Sequence, residues 1–206
     1  VRHSLTYERP APEVSPMTPV PRAPAADSVL VVVDVQDKLL AKMPTAAELV
    51  RSVAFLLDVA ALLDVPAVAT EQYPKGLGPT TPEIARRLPV PLPAKTSFSC
   101  CGAADFLADL RGRGRRAVVL VGMEAHVCVA QTALDLLDAG YSVFLPLDAV
   151  ASRFAADRDA AVRRLERAGA VPTSAEAVAF EWVGDAGHPQ FKAVSRLVVA
   201  RDASRT

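Results

Sequence analysis

The chain has 206 residues, which is enough for one well-buried domain and does not by itself require two. About half of the residues are apolar (51%) and only 5% are aromatic, a composition typical of globular α/β proteins. Lys and Arg equal Asp and Glu at 23 each, so no net charge would attract nucleic acid or an anionic membrane. No apolar run approaches the ~20 residues that span a bilayer, and we expect neither kind of partner.

The first 27 residues predict a flexible, Pro-rich arm in front of a single domain over 28–206. The arm contains six prolines, which fix φ and remove hydrogen-bond donors, so it cannot form a helix or a central strand. It also lacks the continuous apolar core of a secretory signal. Three cysteines, an odd number, do not suggest a disulfide framework. We therefore expect a cytoplasmic protein with reduced thiols.

From Ser28 onward, strand and helix patterns alternate. The β-branched run "VLVVV" (29–33) predicts a strand buried on both faces, and apolar residues at three- and four-residue steps predict a helix over 45–64. The later predicted elements are a strand at 66–70, a Pro- and Gly-rich loop at 71–82, helices near 82–88 and 102–111, a strand at 117–121, a helix at 126–139, a strand at 141–147, helices at 156–170 and 174–183, and a last helix or strand at 189–201. The basic run "RGRGRR" (111–116) falls between a helix and a strand, and we interpret it as a solvated loop.

This alternation predicts right-handed βαβ crossovers and a three-layer α/β sandwich, with a mostly parallel central sheet and helices on both faces. In such Rossmann-like folds, ligands bind beyond the carboxyl ends of the strands. Three residues with reactive side chains lie at predicted strand ends. Asp34 follows the first strand, Lys95 opens "KTSFSCC", and Cys128 follows the strand at 117–121.

Each of these residues has an ordinary interpretation when it is taken alone: a capping carboxylate, a surface lysine and a core cysteine. Their combination indicates chemistry. Cys128 would occupy the first turn of a helix, where unpaired N–H groups and the helix dipole favour a thiolate. A nearby lysine would lower the thiol pKa further, and a carboxylate could accept its proton. Together they form the arrangement that a thiolate needs to attack an electrophilic carbonyl.

Three segments also resemble the signature segments of the isochorismatase-like cysteine hydrolases: "VVVDVQDKL" (31–39), "KTSFSC" (95–100) and "GMEAHVCVAQTALDLLDAGY" (122–141). This superfamily includes nicotinamidases, carbamoylsarcosine amidohydrolases and isochorismatases. The similarity runs from about Ser28 to about Ala170. "TEQYPKGLGPT" (70–80) and "GMEAHVCV" most resemble the isochorismatase-domain hydrolases whose substrate is unassigned.

The resemblance implies a role for each residue of the triad. Cys128 would be the nucleophile, Asp34 the base that takes its proton and later activates water, and Lys95 the cation that holds both. It also implies a cis peptide bond between Met123 and Glu124, which would aim the backbone N–H groups of Glu124 and Cys128 at the developing oxyanion. Relatives form dimers to larger rings, so we expect a homo-oligomer. The apolar final segment would supply its interface through Phe191, Val194, Leu197 and Val198.

Two differences from members of this superfamily narrow the range of activities that the resemblance implies. Nicotinamidases carry a metal site built on an Asp-x-His pattern after the second strand, where this chain has "TEQYPKGLG" and no histidine. Since His3, His126 and His188 also lack the spacing of a shared site, we expect no metal and no other cofactor. Isochorismatases that cleave vinyl ethers usually lack the cysteine. Its presence here favours acyl transfer.

Four further residues are candidates for binding the substrate, although each could equally be structural. Gln36 would point to the same side as Asp34 and orient the carboxylate or the ligand. Gln72 and Tyr73 lie in a loop that could line the pocket, and Phe98 could stack on a flat substrate. His126 is predicted to cap its helix, and Cys100 and Cys101 are predicted to be buried thiols near the pocket.

The leading hypothesis is therefore a metal-independent cysteine hydrolase that cleaves the C–N bond of a small carboxamide through a thioester. The first alternative is vinyl-ether hydrolysis of an isochorismate-like substrate, which needs Asp34 more than Cys128. The second is a thiol redox or regulatory protein that pairs Cys128 with Cys100 or Cys101, although no C-x-x-C motif supports it. A non-catalytic assembly protein is the third.

Overall fold

The structure, a computed structural model, describes residues 21–89 and 91–203. Most of the predicted N-terminal arm, residues 1–20, lies outside this range. The last residues of the arm pack against the domain: Ala23 is fully buried, and its N–H donates to the Glu181 carboxylate at 2.9 Å. Ala25–Asp27 then form a single 3-10 turn that leads into the first strand.

The sheet is parallel throughout the pairs that the described residues form. Its strands are β1 (Ser28–Val33), β2 (Ala67–Gln72), β3 (Ala94–Lys95), β4 (Ala117–Met123), β5 (Ser142–Pro146), β6 (Val150–Ala151) and β7 (Val171–Thr173). The strand order is β3-β2-β1-β4-β5-β7, and β6 pairs with the end of β4. The central strands β1 and β4 are buried along their whole length, as expected for strands covered on both faces.

The helices are α1 (Asp37–Leu40), α2 (Ala46–Leu62), α3 (Pro74–Leu77), α4 (Pro82–Ala85), α5 (Phe106–Gly112), α6 (Ala130–Asp138), α7 (Ala155–Arg167), α8 (Ala175–Val183) and α9 (Phe191–Ala203). They form two layers. Alternate residues of β1 show this, since Leu30 and Val32 pack with α2, α8 and α9, whereas Val29, Val31 and Val33 pack with α5, α6 and α7. The predicted three-layer α/β sandwich is confirmed.

The structure departs from the predicted elements where contacts between residues distant in sequence determine the secondary structure. β2 extends two residues further than predicted, to Gln72, because Glu71 and Gln72 pair with the two-residue strand β3. The predicted helix at 126–139 begins as a π-helical turn, Ala125–Val129, before α6. Neither a two-residue strand nor a π turn has a periodicity that a sequence window can detect.

The final segment is the helix α9, which packs against the protein's own core through Val194. Val194 is fully buried, and Phe191, Leu197 and Val198 pack against the cluster that α2 and α8 form. Arg201 pairs with Asp148 and donates to the Ser52 hydroxyl at 3.0 Å, and its guanidinium lies 5.0 Å from the centre of the Phe55 ring. Val194 is therefore part of the core, whereas Phe191, Leu197 and Val198 are only partly buried, and their place in a subunit interface stays a prediction.

Within the described part of the chain, no helix combines the length and the apolarity that a bilayer span requires.

Candidate active site

Asp34 lies fully buried at the carboxyl edge of the sheet, directly after β1. Its backbone is left-handed, with φ +52°, and its N–H donates to the Thr70 carbonyl at 3.2 Å. The side chain is held at both oxygens. Oδ1 accepts from the Thr70 hydroxyl at 2.9 Å, and Oδ2 accepts from Lys95 Nζ at 2.7 Å. The carboxylate therefore has one fixed orientation.

Gly122 allows the end of β4 to approach the end of β1 closely. It lies opposite Val33 in the β1–β4 register and has φ +119°. A Cβ atom at this position would lie 2.1 Å from the Val33 carbonyl oxygen. Only glycine combines this φ with this approach. Since Asp34 follows Val33, Gly122 brings the segment that carries Cys128 beside the carboxylate.

Lys95 ends β3, and its ammonium is enclosed by the protein. Nζ donates to Asp34 Oδ2 and to Gln72 Oε1, both at 2.7 Å, and contacts the Phe98 and Ser97 carbonyls at 3.0 and 3.3 Å. An ammonium has three protons, so these four acceptors use all of them. Lys95 therefore acts as a fixed positive charge beside Asp34 and has no donor left to bind a substrate directly.

Cys128 lies in the π-helical turn at the start of the α6 segment, and its side chain is close to that of Asp34. The residue is only 6% exposed, and the charges of Asp34 and Lys95 both act on its thiol. The Thr132 hydroxyl donates to the Cys128 carbonyl at 2.7 Å, one turn further along the chain. The Met123–Glu124 peptide bond just before this turn is cis, at the position that the resemblance implied.

Burial dominates the protonation of the base and the thiol. Burial raises the pKa of Asp34, and Lys95 and the hydrogen bonds from Thr70 and Cys128 only partly oppose this rise. Burial and then the Asp34 charge raise the pKa of Cys128 to about 12, against the lowering effect of Lys95. The expectation of a lowered thiol pKa is therefore wrong for the protein without ligand. The thiol is therefore neutral at rest.

Gln36 and Gln72 are buried beside the site and hydrogen-bond to each other. The Gln36 side chain is fully buried, accepts from the Gln72 N–H at 2.8 Å, and donates to the carbonyls of Gln72 and Gly78. Gln72 Oε1 accepts from Lys95, while its Nε2 donates to the Thr96 carbonyl at 2.9 Å. These contacts connect the two glutamines to Lys95 and to the loop after β2.

Tyr73 and Phe98 flank Lys95 on the outside. Each is 53% exposed. The Tyr73 N–H donates to the Lys95 carbonyl at 2.8 Å, and the Phe98 carbonyl accepts from Lys95 Nζ. Both side chains are therefore exposed to solvent.

Two buried residues that contact Asp34 and Cys128, namely Thr70 and Thr132, were not predicted from the sequence. The contact of Cys100 with Thr70 was not predicted either. The Thr70 hydroxyl lies 3.2 Å from Cys100 Sγ, and the Cys100 N–H donates to Thr132 Oγ1 at 2.9 Å. One signal could have found Thr70, since it is a polar residue at the end of an apolar strand, just as Asp34 is. Nothing in the sequence indicates the pairing of Cys100 with Thr132.

The turn that contains Cys128 is also tied to the segment before α7. Glu124 accepts from Arg153 Nε at 3.1 Å, and His126 Nδ1 lies 3.0 Å from the Ser152 hydroxyl. The predicted capping role of His126 is replaced by this contact. Across residues 21–89 and 91–203, no three His, Cys, Asp or Glu side chains come together as metal ligands do.

The fold and the site together define an α/β protein with a buried thiol, carboxylate and ammonium at the carboxyl edge of a parallel sheet. The sequence model of a family described as "Isochorismatase domain" matches residues 28–177. The chain belongs to this family of isochorismatase-like hydrolases. The human isochorismatase domain-containing protein 2 is 43% identical over 171 residues, which cover 83% of this chain and 82% of that protein.

Solved structures agree with this assignment. The MAR1 ribonuclease from Caenorhabditis elegans superposes with a TM-score of 0.81 and 39% identity, over 87% of this chain and 93% of that one. YcaC from Pseudomonas aeruginosa, solved with hexane-2,5-diol and covalent acrylamide, gives 0.78 and 25%, over 90% and 98%. The Escherichia coli YcaC protein, described as an octameric hydrolase of unknown specificity, gives the same two values over 91% and 99%.

Proposed function

We propose that this protein is a metal-independent cysteine hydrolase that cleaves the C–N bond of a small carboxamide. The observation that carries the proposal is that Asp34, a carboxylate that Lys95 and Thr70 hold at its two oxygens, lies close enough to the buried Cys128 thiol for its charge to act on that thiol. This arrangement supports covalent catalysis by an activated thiol, in which a neighbouring base accepts the thiol proton.

The first half-reaction forms a thioester. Cys128 Sγ attacks the amide carbon while its proton moves to Asp34, and the carbonyl oxygen becomes negative. Backbone N–H groups of Glu124 and Cys128 stabilise that oxygen, a contribution that is typically worth about 3–4 kcal/mol of barrier. The C–N bond then breaks, and the Asp34 proton goes to the leaving nitrogen, which departs as ammonia or an amine. The carboxylate is thereby regenerated.

The second half-reaction releases the acid. Asp34 takes a proton from a water molecule that attacks the thioester carbon, and the C–S bond breaks. The proton on Asp34 then returns to the Cys128 sulfur. Lys95 keeps a positive charge beside Asp34 throughout and needs no proton transfer of its own. Gln36 and Gln72 act as supports of Lys95 and of the loop after β2, whereas Tyr73 and Phe98 contact the substrate.

The neighbour that carries covalent acrylamide supports this assignment, because acrylamide contains a carboxamide and reacts with nucleophiles. Vinyl-ether hydrolysis is the alternative within the family, and it does not use a thiol.

The ribonuclease neighbour suggests a third activity. The basic run 111–116 argues against it here, since it precedes β4 and lies at the amino edge of the sheet, opposite to Asp34. Arg115 in this run donates to the backbone of Ala25 and Ser28.

The test measures ammonia release from a panel of small primary carboxamides by the parent protein, Cys128→Ala and Asp34→Asn. We expect turnover by the parent alone, together with a hydroxamate when hydroxylamine traps the thioester. Ammonia release that survives Cys128→Ala would contradict the proposal. An isochorismate-like vinyl ether is assayed with the same variants, and its hydrolysis by Cys128→Ala but not by Asp34→Asn would favour the alternative. A short single-stranded RNA in the same panel tests the ribonuclease activity, and we expect it to remain intact.

We also propose that the protein works as a homo-oligomer in the cytoplasm. The octameric state described for the E. coli neighbour supports the first part. The second part is supported by three cysteines that are all unpaired in the structure, as expected in a reducing compartment.

A further inference from the structure

Thr70 contacts the carboxylate oxygen that Lys95 does not occupy. The residue is buried, with 1% exposure, and lies opposite Val33 in the β1–β2 register, next to Asp34. Its hydroxyl has one proton, which it donates to Asp34 Oδ1 at 2.9 Å. The 3.2 Å contact between Thr70 Oγ1 and Cys100 Sγ must therefore use the thiol as the donor. Cys100 thus orients the Thr70 hydroxyl toward Asp34.

Cys100 is also connected to Cys128 through hydrogen bonds of Thr132. Its N–H donates to Thr132 Oγ1 at 2.9 Å, and the Thr132 hydroxyl donates to the Cys128 carbonyl at 2.7 Å. Cys100 and Thr132 are both fully buried. A continuous chain of hydrogen bonds therefore runs from the backbone of Cys128 through Thr132, Cys100 and Thr70 to the side chain of Asp34.

We propose that Thr70, oriented by the thiol of Cys100, is a positioning residue that keeps Asp34 in the ionised state and orientation that accept the Cys128 proton. This inference rests on the proposed function and adds to it a role for two residues that do not contact the substrate. It also accounts for a second buried thiol at the site that the reaction itself does not use.

Three titratable groups face Asp34 and contribute to its environment. They are Lys95 from β3, Cys128 from the turn before α6, and Cys100 from the turn after β3. Burial raises the pKa of Asp34, and the Thr70 hydroxyl is one of the donors that lower it. Loss of that donor raises the pKa further, so the base becomes protonated at a higher pH. The acid limb of kcat/KM then moves upward, by about one pH unit for one charge-assisted hydrogen bond.

The experiment compares the pH profile of kcat/KM for the parent with four variants. Thr70→Val removes the hydroxyl at constant shape, Thr70→Ser retains it, and Cys100→Ala removes the donor that orients it. Thr80→Val is the matched control, since Thr80 is also a buried threonine but its hydroxyl has no hydrogen-bond partner among the described residues. Each profile is recorded together with urea unfolding, so that a loss of folded protein is recognised.

We expect Thr70→Val to move the acid limb upward by about one unit, Cys100→Ala to move it less in the same direction, and Thr70→Ser and Thr80→Val to match the parent. A Thr70→Val protein that loses rate at every pH, with the acid limb unmoved, would overturn the inference and leave Thr70 with a structural role only.

A second readout separates failure of this inference from failure of the proposed function. The rate of acrylamide addition to Cys128, followed by peptide mapping, also requires proton transfer to Asp34 and needs no substrate turnover. If no amide is hydrolysed, the shift of this acid limb in Thr70→Val still tests the inference. If Asp34→Asn leaves the pH dependence of addition unchanged, Asp34 is not the base, and both the inference and the proposed function fail.

Discussion

The charge on Asp34 opposes ionisation of the thiol that it serves. It is the second-largest cause of the raised pKa of Cys128, after burial, and Lys95 acts in the opposite direction. Asp34→Asn removes the negative charge and leaves the lysine. We therefore expect the pKa of Cys128 to fall from about 12 in this variant.

The measurement is thiolate absorbance in the ultraviolet during a pH titration, with the same protein carrying Cys128→Ala as the reference for Cys100 and Cys101. We expect a Cys128 step in Asp34→Asn at a lower pH than in the parent. Identical titrations of the parent and Asp34→Asn would mean that the Asp34 charge does not contribute to the raised pKa of Cys128.

Lys95 and Asp34 form an ion pair whose side chains are both fully buried. Removal of one partner leaves an uncompensated buried charge, so we expect Lys95→Met to lower the free energy of unfolding by about 3–5 kcal/mol. The double variant Asp34→Asn/Lys95→Met no longer contains that charge. We expect it to be more stable than Lys95→Met in urea unfolding, and equal or lower stability would show that the charge left on Asp34 is not what destabilises Lys95→Met.

Among the strands and helices, the contact between β1 and β4 depends on Gly122. Its Cβ would overlap the Val33 carbonyl at a positive φ, so Gly122→Ala forces the two strand ends apart. We expect this variant to lose at least about 3 kcal/mol of stability in urea unfolding, from strain and overpacking together.

Gly112 provides a matched control for this substitution. It ends α5, and a Cβ atom added there would meet nothing within 4 Å beyond its chain neighbours and the backbone of its own helix. We expect Gly112→Ala to be neutral or to stabilise by up to about 1 kcal/mol, because alanine has the higher helix propensity. Comparable losses in Gly112→Ala and Gly122→Ala would contradict the assignment of the effect to the β1–β4 contact.

In the molecule as a whole, the sheet collects side chains from three different strand ends into one site. β1 supplies Asp34, β3 supplies Lys95, and the segment after β4 supplies Cys128. Parallel pairing places these ends along the same edge, and β2 between β1 and β3 contributes Thr70 and Gln72. The site therefore depends on the assembled sheet, because no two members of the triad come from the same strand.

The oligomeric state is also a property of the whole molecule. The octamer described for the E. coli neighbour leads us to expect a mass that is a multiple of the single chain in light scattering coupled to size exclusion. Since Val194 is fully buried, Val194→Asp should unfold the chain, whereas Val199→Asp, at a position that is 66% exposed, should leave it folded. A Val194→Asp protein that stays folded would contradict the assignment of Val194 to the core.

The amino-acid pattern alone was enough to predict the α/β class, the buried central strands and the position of Asp34, Lys95 and Cys128 at strand ends. The physical reason is that these features are local. A β-branched run indicates a buried strand, and parallel strands bring their carboxyl ends to one edge, so Asp34, Lys95 and Cys128 could be placed together before any contact was known.

Four features became visible only in the folded chain: the raised pKa of Cys128, the enclosure of Lys95, the burial of Val194 in α9 and the connection through Thr70, Cys100 and Thr132. Each depends on burial or on contacts between residues that are far apart in the chain. The helix dipole and a nearby lysine both favour a thiolate, and both are visible in the sequence pattern. The desolvation that outweighs them at Cys128 depends on the packed surroundings, which tertiary contacts create.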